Sequence, residues 1–352
     1  MKALMLAGGH GTRLRPLTHT QSKQLIPVAN KPILFYGLEA LADAGIREVV
    51  VVVGDTEEEI RVAVGDGSTW GLDVTYVRQD APLGLAHAVL TAREHLAGSP
   101  FLMYLGDNLV REGLGSFVRT FEEHQPDAQI FLVKVPDPER FGVAVVEAGR
   151  VIRLVEKPTE HISDMAMSGV YIFTPAIFEA ASSIRPSWRG ELEITDAIQY
   201  LVDHEYSVRA ELISDWWKDT GKVEDLLEAN RFVLNDQDRC IEGDVDEASH
   251  IVGDVHIAAG AVVRDSVIRG PSTIGAGCRI EHSIIDPWTS IYANTRVADS
   301  EIGNSIVMGE CHISQVHRIR ESLVGRNVQI YRAGPSPSLH LMVGDNCAIA
   351  LP

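Results

Sequence analysis

Ile251, Ile268, Ile285, Ile302 and Ile319 recur at intervals of seventeen residues along the last third of this chain. The same step links Ile257, Ile274 and Ile291, then Val263, Ile280 and Val297, then Ser266, Ser283 and Ser300. Gly260, Gly277 and Asn294 keep it too, and these residue types tolerate the left-handed backbone of a tight corner. Aliphatics spaced six, six and five residues apart describe one triangular coil, each side burying one apolar side chain. The spacing predicts a left-handed parallel β-helix over residues 239–352. The polar run Asn235-Asp236-Gln237-Asp238-Arg239 is the expected junction with what precedes it.

Residues 1–238 follow a different grammar, in which apolar strands alternate with amphipathic helices. Strands are expected at Lys2–Ala7, Glu48–Val53, Val74–Arg78 and Phe101–Leu105, and helices at Ile33–Asp43, Thr56–Val64, Gly84–Glu94 and Ile194–Tyr200. The unbroken run Val49-Val50-Val51-Val52-Val53 suits a strand covered by helices on both faces of a mainly parallel sheet. This is an α/β, Rossmann-like architecture. Ligands of such sheets sit outside the carboxyl ends of the strands, where Gly8-Gly9-His10-Gly11-Thr12-Arg13 and Gly106-Asp107 both fall.

The first of these loops has the composition of a triphosphate site. Its glycines let consecutive backbone N–H groups approach an anion, and Arg13 and Lys23 add positive charge. The spacing does not fit a P-loop. Asp107, just past a buried strand, can offer a hard carboxylate to Mg²⁺, and Asp219 in Trp216-Trp217-Lys218-Asp219-Thr220-Gly221 can be its partner. Read locally, each could equally be a turn-forming or helix-capping aspartate.

GGHGTRL (8–14), the run from Lys23 to Tyr36, LGDN (105–108), EKP (156–158), RGELEITD (189–196) and DTG (219–221) together resemble the sugar-1-phosphate nucleotidylyltransferases over nearly the whole chain. Within that family the likeness is to the thymidylyl-transferring branch, in its long form with a C-terminal extension. The resemblance implies attack of a glucose 1-phosphate oxygen on the α-phosphorus of dTTP, with release of pyrophosphate and Mg²⁺ as cofactor. It makes Arg13 and Lys23 catalytic, through charge stabilisation and alignment, and assigns Asp107 and Asp219 to the metal. It further implies nucleotide contacts at Leu6, Gly8, Gly9, Gly11, Thr12, Gln24, Gln79, Pro82, Gly84 and Asp107. Sugar-phosphate contacts are implied at Gly142, Glu156, Lys157, Val170, Tyr171 and Arg189, with Gly169 and Glu193 beside them. Local readings stand next to these: residues 79–86 can be an ordinary loop, Glu156 a surface ion-pair partner, and Glu191 and Glu193 favourable charges at a helix start.

Composition limits the partners. With 352 residues, 45% hydrophobic and 23% charged, the chain has room for two domains and a large core. A net charge of −18 argues against DNA or RNA, which needs a basic face. Cys240, Cys278, Cys311 and Cys347 show no CxxC pairing and read as reduced, mostly buried residues of a cytoplasmic protein. No apolar run approaches a membrane span and no leader is evident at Met1, so a cytoplasmic location without membrane attachment is expected. His282, His312 and His317 form no cluster that would suggest acyl transfer by the extension, which is expected to join copies into a homo-oligomer. Two other readings stay open: transfer from another nucleoside triphosphate or to another sugar or cyclitol phosphate, and a non-catalytic regulatory subunit.

Overall fold

A computed structural model of the chain describes residues 1–9 and 11–332. His10, Cys347 and the last part of the expected coil, 333–352, lie outside the described residues. Two compact units divide the rest: residues 1–9, 22–25 and 33–219 in the first, and 11–21, 26–32 and 220–332 in the second.

The first unit opens with β1 (Lys2–Leu6), α1 (Ile33–Asp43), β2 (Glu48–Val53), α2 (Glu57–Val64), β3 (Asp73–Arg78), α3 (Leu85–Thr91) and β4 (Phe101–Leu105). It continues through β5 (Asn108–Val110), α4 (Leu114–His124), β6 (Ala128–Lys134), β7 (Gly142–Glu147), β8 (Arg150–Glu156) and β9 (Met165–Phe173). Then come α5 (Ala176–Ser183), α6 (Ile194–Asp203), β10 (Val208–Leu212) and β11 (Trp217–Asp219). Nine strands form one sheet in the order β3-β2-β1-β4-β9-β6-β10-β8-β7. The pairs β1–β2, β1–β4 and β2–β3 are parallel, as expected over that stretch, whereas β9 runs antiparallel to β4 and β6, and β8 antiparallel to β7.

The continuous hydrophobic strands are explained by the two faces of this sheet. Leu4, Val50, Val52 and Met103 belong to one core cluster, and Ala3, Met5, Val49, Val51 and Leu102 to the other. Alternate residues of these central strands thus meet opposite sides of the sheet, and their charged residues, Lys2 and Glu48, stand at strand ends. α1 buries Ile33, Leu34, Leu38 and Leu41, one stripe at helical spacing. The helix expected over 84–94 divides into α3 and a four-residue helix, Arg93–Leu96.

In the second unit, α7 (Val223–Asn235) precedes the coil, whose first strand is Cys240–Ile241. Among the described residues, seventeen short strands stack into three parallel sheets of six, six and five, the left-handed parallel β-helix that the repeat implies. Ile257, Val263, Ile268, Ile274, Ile280, Ile285 and Ile291 are fully buried along its axis. Gly260, Gly277 and Asn294 hold φ of +79°, +69° and +60°, and Glu310 and Asn327 continue the same corner. The period slips once. Ile302 faces Ile285 and Ile319 faces Ile302 at a step of seventeen, but Val307 faces Ile291 and Ile313 faces Val297 at sixteen. One residue is therefore dropped at the corner after Gly303 and regained after Ser314.

The serine repeat has its own reason. Ser266, Ser283 and Ser300 each donate a hydroxyl hydrogen bond to the carbonyl two residues back, at 2.7, 2.6 and 2.7 Å. Each hydroxyl oxygen then accepts an N–H from the next coil: Ser283 at 3.0 Å, Ser300 at 3.2 Å and Val316 at 3.1 Å. A serine at this corner satisfies a backbone donor that the turn would otherwise leave without a partner.

Candidate active site

β1 ends at Leu6, and Gly8 and Gly9 follow at the carboxyl edge of the sheet. A Cβ on Gly9 would stand 2.8 Å from Cε of Lys23, so any larger residue there would push the end of the lysine stem aside. Lys23 starts a short 3₁₀ turn (Lys23–Leu25), and its ammonium pairs with Oδ2 of Asp107. Gln24 is buried beside it and accepts the Ser22 hydroxyl at 2.7 Å. The glutamine amide of the KQL triplet thus has a structural partner.

Asp107 follows β4 and is held from two sides. Its other oxygen, Oδ1, accepts Nδ2 of Asn108 at 3.0 Å. Asn108 Oδ1 accepts the Trp217 indole N–H at 2.8 Å, and the same indole lies 2.6 Å from the Ser168 carbonyl. Burial pushes the Asp107 carboxyl up, but the Lys23 ammonium and these hydrogen bonds outweigh it and hold the pKa below the usual aspartate value. Asp219 closes β11, which pairs antiparallel with β5 so that Asp219 stands opposite Asn108. Pairing thereby brings Asp219 opposite the residue that follows Asp107, although 112 positions separate the two aspartates in sequence. Asp219 is a strand residue, and the capping position of α7 is Lys222. Asp107, kept ionised in this way, offers the kind of hard oxygen donor that Mg²⁺ takes.

A second group forms around the turn before α3. Gln79 Nε2 donates to the Gly84 carbonyl at 3.1 Å and lies 2.9 Å from Nδ1 of His87. Gly84 has φ +105°, and a Cβ there would sit 2.3 Å from the Leu192 carbonyl oxygen. The glycine is thus demanded by the chain itself, whatever else approaches it: Leu192 N donates to Leu83 O at 2.7 Å and Ala86 N to Leu192 O at 3.0 Å. Pro82 is exposed on the same turn.

The 187–193 segment, docked there through Leu192, carries the third group. Arg189 reaches Glu191 at 2.9 Å, Glu193 at 3.3 Å and Glu156 at 3.6 Å. Glu156, at the end of β8 and opposite Gly142 on β7, also accepts the Thr195 hydroxyl at 2.6 Å and lies 3.5 Å from Lys157 Nζ. It is no solvated surface pair, because its side chain is only 17% exposed. Glu193 is buried at the start of α6; burial, then the charges of Glu156 and Glu191, raise its pKa despite the Ser187 hydrogen bond and Arg189. Lys157 has φ +43° and is partly exposed.

Other expected contacts are placed differently. Val170 and Tyr171 are buried in β9, Val170 in one core cluster and Tyr171 in the other. Burial first, and then the charge of Glu156, push the Tyr171 phenol well above its ordinary range. Leu6 is likewise buried, at 8% exposure. Gly11, at φ +60°, leads into a 3₁₀ turn (Thr12–Leu14) on which Thr12 and Arg13 are exposed; these three residues belong to the second unit. Sequence reasoning passed over His87, Thr195 and Trp217. Thr195 and Trp217 act on Glu156 and Asn108 from 39 and 109 positions away, a distance no local pattern reveals, although Thr195 lies within the 189–196 motif; His87 stands eight residues after Gln79.

The family model described as nucleotidyl transferase matches residues 2–236. A Streptomyces griseus protein named glucose-1-phosphate thymidylyltransferase is 53% identical over 348 residues, 98% of each chain. A Streptomyces antibioticus protein of the same name is 52% identical over 354 residues, 100% of this chain and 99% of that one. A solved UDP-glucose pyrophosphorylase, complexed with UDP-glucose, is 27% identical with a TM-score of 0.61, covering 67% of this chain and 99% of its own.

Proposed function

This chain belongs to the nucleotidyl transferase family, and from that premise we propose that it transfers a thymidylyl group from dTTP to glucose 1-phosphate, yielding dTDP-glucose and pyrophosphate. Nucleotidyl transfer to a sugar 1-phosphate is the activity of the enzyme. The choice of base and sugar is carried by one observation: two relatives named for that reaction match at 53% and 52% identity along essentially the whole chain, coil included.

An oxygen of the sugar phosphate attacks the α-phosphorus as the bond to the pyrophosphate oxygen breaks. The protein's part is alignment and charge stabilisation. Lys23 supplies a point charge that a triphosphate can draw from Asp107, and Arg13 a planar fork able to follow charge onto departing pyrophosphate. Asp107 and Asp219 would hold Mg²⁺, which when bound supplies positive charge to the triphosphate oxygens. Gln79, its amide oriented by His87 and Gly84, is suited to the donor and acceptor edge of thymine. Glu156 and Lys157 face the sugar phosphate, Thr195 holding the carboxylate in place. Arg189, engaged by three carboxylates, is better fitted to organise this acidic pocket than to meet phosphate alone.

The setting we propose is cytoplasmic and homo-oligomeric, with small-molecule substrates only. The net charge of −18 argues against a nucleic-acid partner, and no helix among the described residues is long and apolar enough to cross a membrane. Pyrophosphate release with glucose 1-phosphate and Mg²⁺, measured against dTTP, UTP, ATP, GTP and CTP, tests the reading. A preference for dTTP is expected. A preference for UTP would move the enzyme toward the reaction named in the 27% identical structure and remove Gln79 from thymine selection.

A further inference from the structure

We propose that the first two coils of the β-helix carry a binding site for a zinc-class divalent cation, formed by the Cys240 thiolate, the Glu242 carboxylate and the His256 imidazole. The three side chains offer one ligand atom each, all within 4.8 Å of one another, and form the one such grouping of three among the described residues. Parallel pairing creates it. Cys240 lies opposite His256 and Ile241 opposite Ile257 in adjacent coils. Ile257 is fully buried along the axis, so strand alternation turns His256 outward, and Cys240 and Glu242, two residues apart, share that outer face.

The ligand chemistry sets this place apart from Asp107 and Asp219. A thiolate and an imidazole select zinc over Mg²⁺ or Ca²⁺, which take oxygen ligands. Metal bonds near 2.0–2.3 Å would draw the three donor atoms to about 3.3–3.8 Å apart. Cys240 and Glu242 are exposed and free to make that rotamer adjustment. The charges balance, since thiolate and carboxylate neutralise a dication and the thiol proton leaves to solvent on binding. His256 is steadied from the next coil, where the Thr273 hydroxyl stands 3.5 Å from its Nδ1. Three protein ligands leave a fourth position for water.

The location gives such an ion something to do. Cys240–Ile241 is the terminal strand of its six-stranded sheet and only two residues long, with Ile241 40% exposed. A metal bridging residues 240, 242 and 256 would pin this free edge to the coil beneath it.

The test uses the untagged full-length chain, stripped with a chelator and titrated with Co²⁺ as a spectroscopic stand-in, followed by Zn²⁺. Expected are a thiolate-to-cobalt charge-transfer band saturating at one ion per chain, its loss on adding Zn²⁺, and a rise in Tm with Zn²⁺. Cys240→Ser and His256→Gln should each lose the band and the Tm rise while melting, without metal, where the wild type does. His256→Gln keeps every cysteine, so a band that survives in it at full intensity comes from another thiol and overturns the proposal. A wild-type chain showing no band overturns it equally.

Discussion

Lys23 and Asp107 neutralise each other at the carboxyl edge of β1 and β4, and this pair shows how single residues are held ready. The aspartate has a low pKa because an ammonium faces one oxygen and the Trp217–Asn108 chain supports the other. Lys23→Ala should therefore do two things. Turnover falls by roughly 10²–10³-fold, as for loss of one charge-stabilising donor, and Asp107 is left buried without its counter-charge, which lowers the Tm. Steady-state kinetics and a melting curve of the same preparation check both. Trp217→Phe keeps an aromatic ring, though a smaller one, and deletes the indole donor; it is expected to reduce kcat with little change in fold, and an unchanged kcat would show that the chain of hydrogen bonds does not position Asp107.

At the scale of elements, β10 carries a titration unrelated to catalysis. Burial first, and then the charge of Glu112, hold the Glu211 carboxyl above its usual range, while Thr120 and Gln129 compensate in part. The native state binds this proton more tightly than the unfolded chain. Its contribution to stability is therefore fully present below the ordinary glutamate pKa and is lost as pH rises through the raised native value. Glu211→Gln should flatten that slope, so that its urea midpoint falls less than the wild type's between about pH 4 and pH 7. A parallel fall in both proteins would mean that Glu211 titrates normally in the native state. The elements themselves were readable from sequence to differing depths. β1, β2 and α1 carry strong periodicity because both sides of the sheet impose it. β5 and β11 do not, being three residues each and defined only by pairing across more than a hundred positions.

At the scale of the molecule, the coil's unit reaches back into the early chain. Ala29 N donates to Asn230 Oδ1 at 2.8 Å, Asn30 Nδ2 to the Ile291 carbonyl at 2.8 Å, and Asn230 Nδ2 to the Trp288 carbonyl at 3.0 Å. Residues 26–32 and α7 thus belong to the same unit as the β-helix. Deleting residues 240–352 would remove Ile291 and Trp288, the partners of Asn30 and Asn230, and expose the face of α7 that Asn230 occupies. The truncated chain is expected to melt at lower temperature and to lose the assembly size of the full chain; light scattering and calorimetry check this. Undiminished Tm with an unchanged assembly would mean that the coil contributes to neither.

What the sequence by itself determined is whatever repeats or clusters locally. A seventeen-residue step forces stacked coils because each side must bury its aliphatic and each corner needs a residue tolerant of positive φ. Continuous valines force a strand covered on both faces, and six ordered motifs identify the family. Tertiary structure alone decided the contacts among those motifs. It set Asp219 opposite Asn108, laid Leu192 against Gly84, brought Glu156 to Arg189 and put Cys240 beside His256. Each of these depends on strand register and loop closure between distant segments, and register is an outcome of packing that no short stretch of sequence encodes.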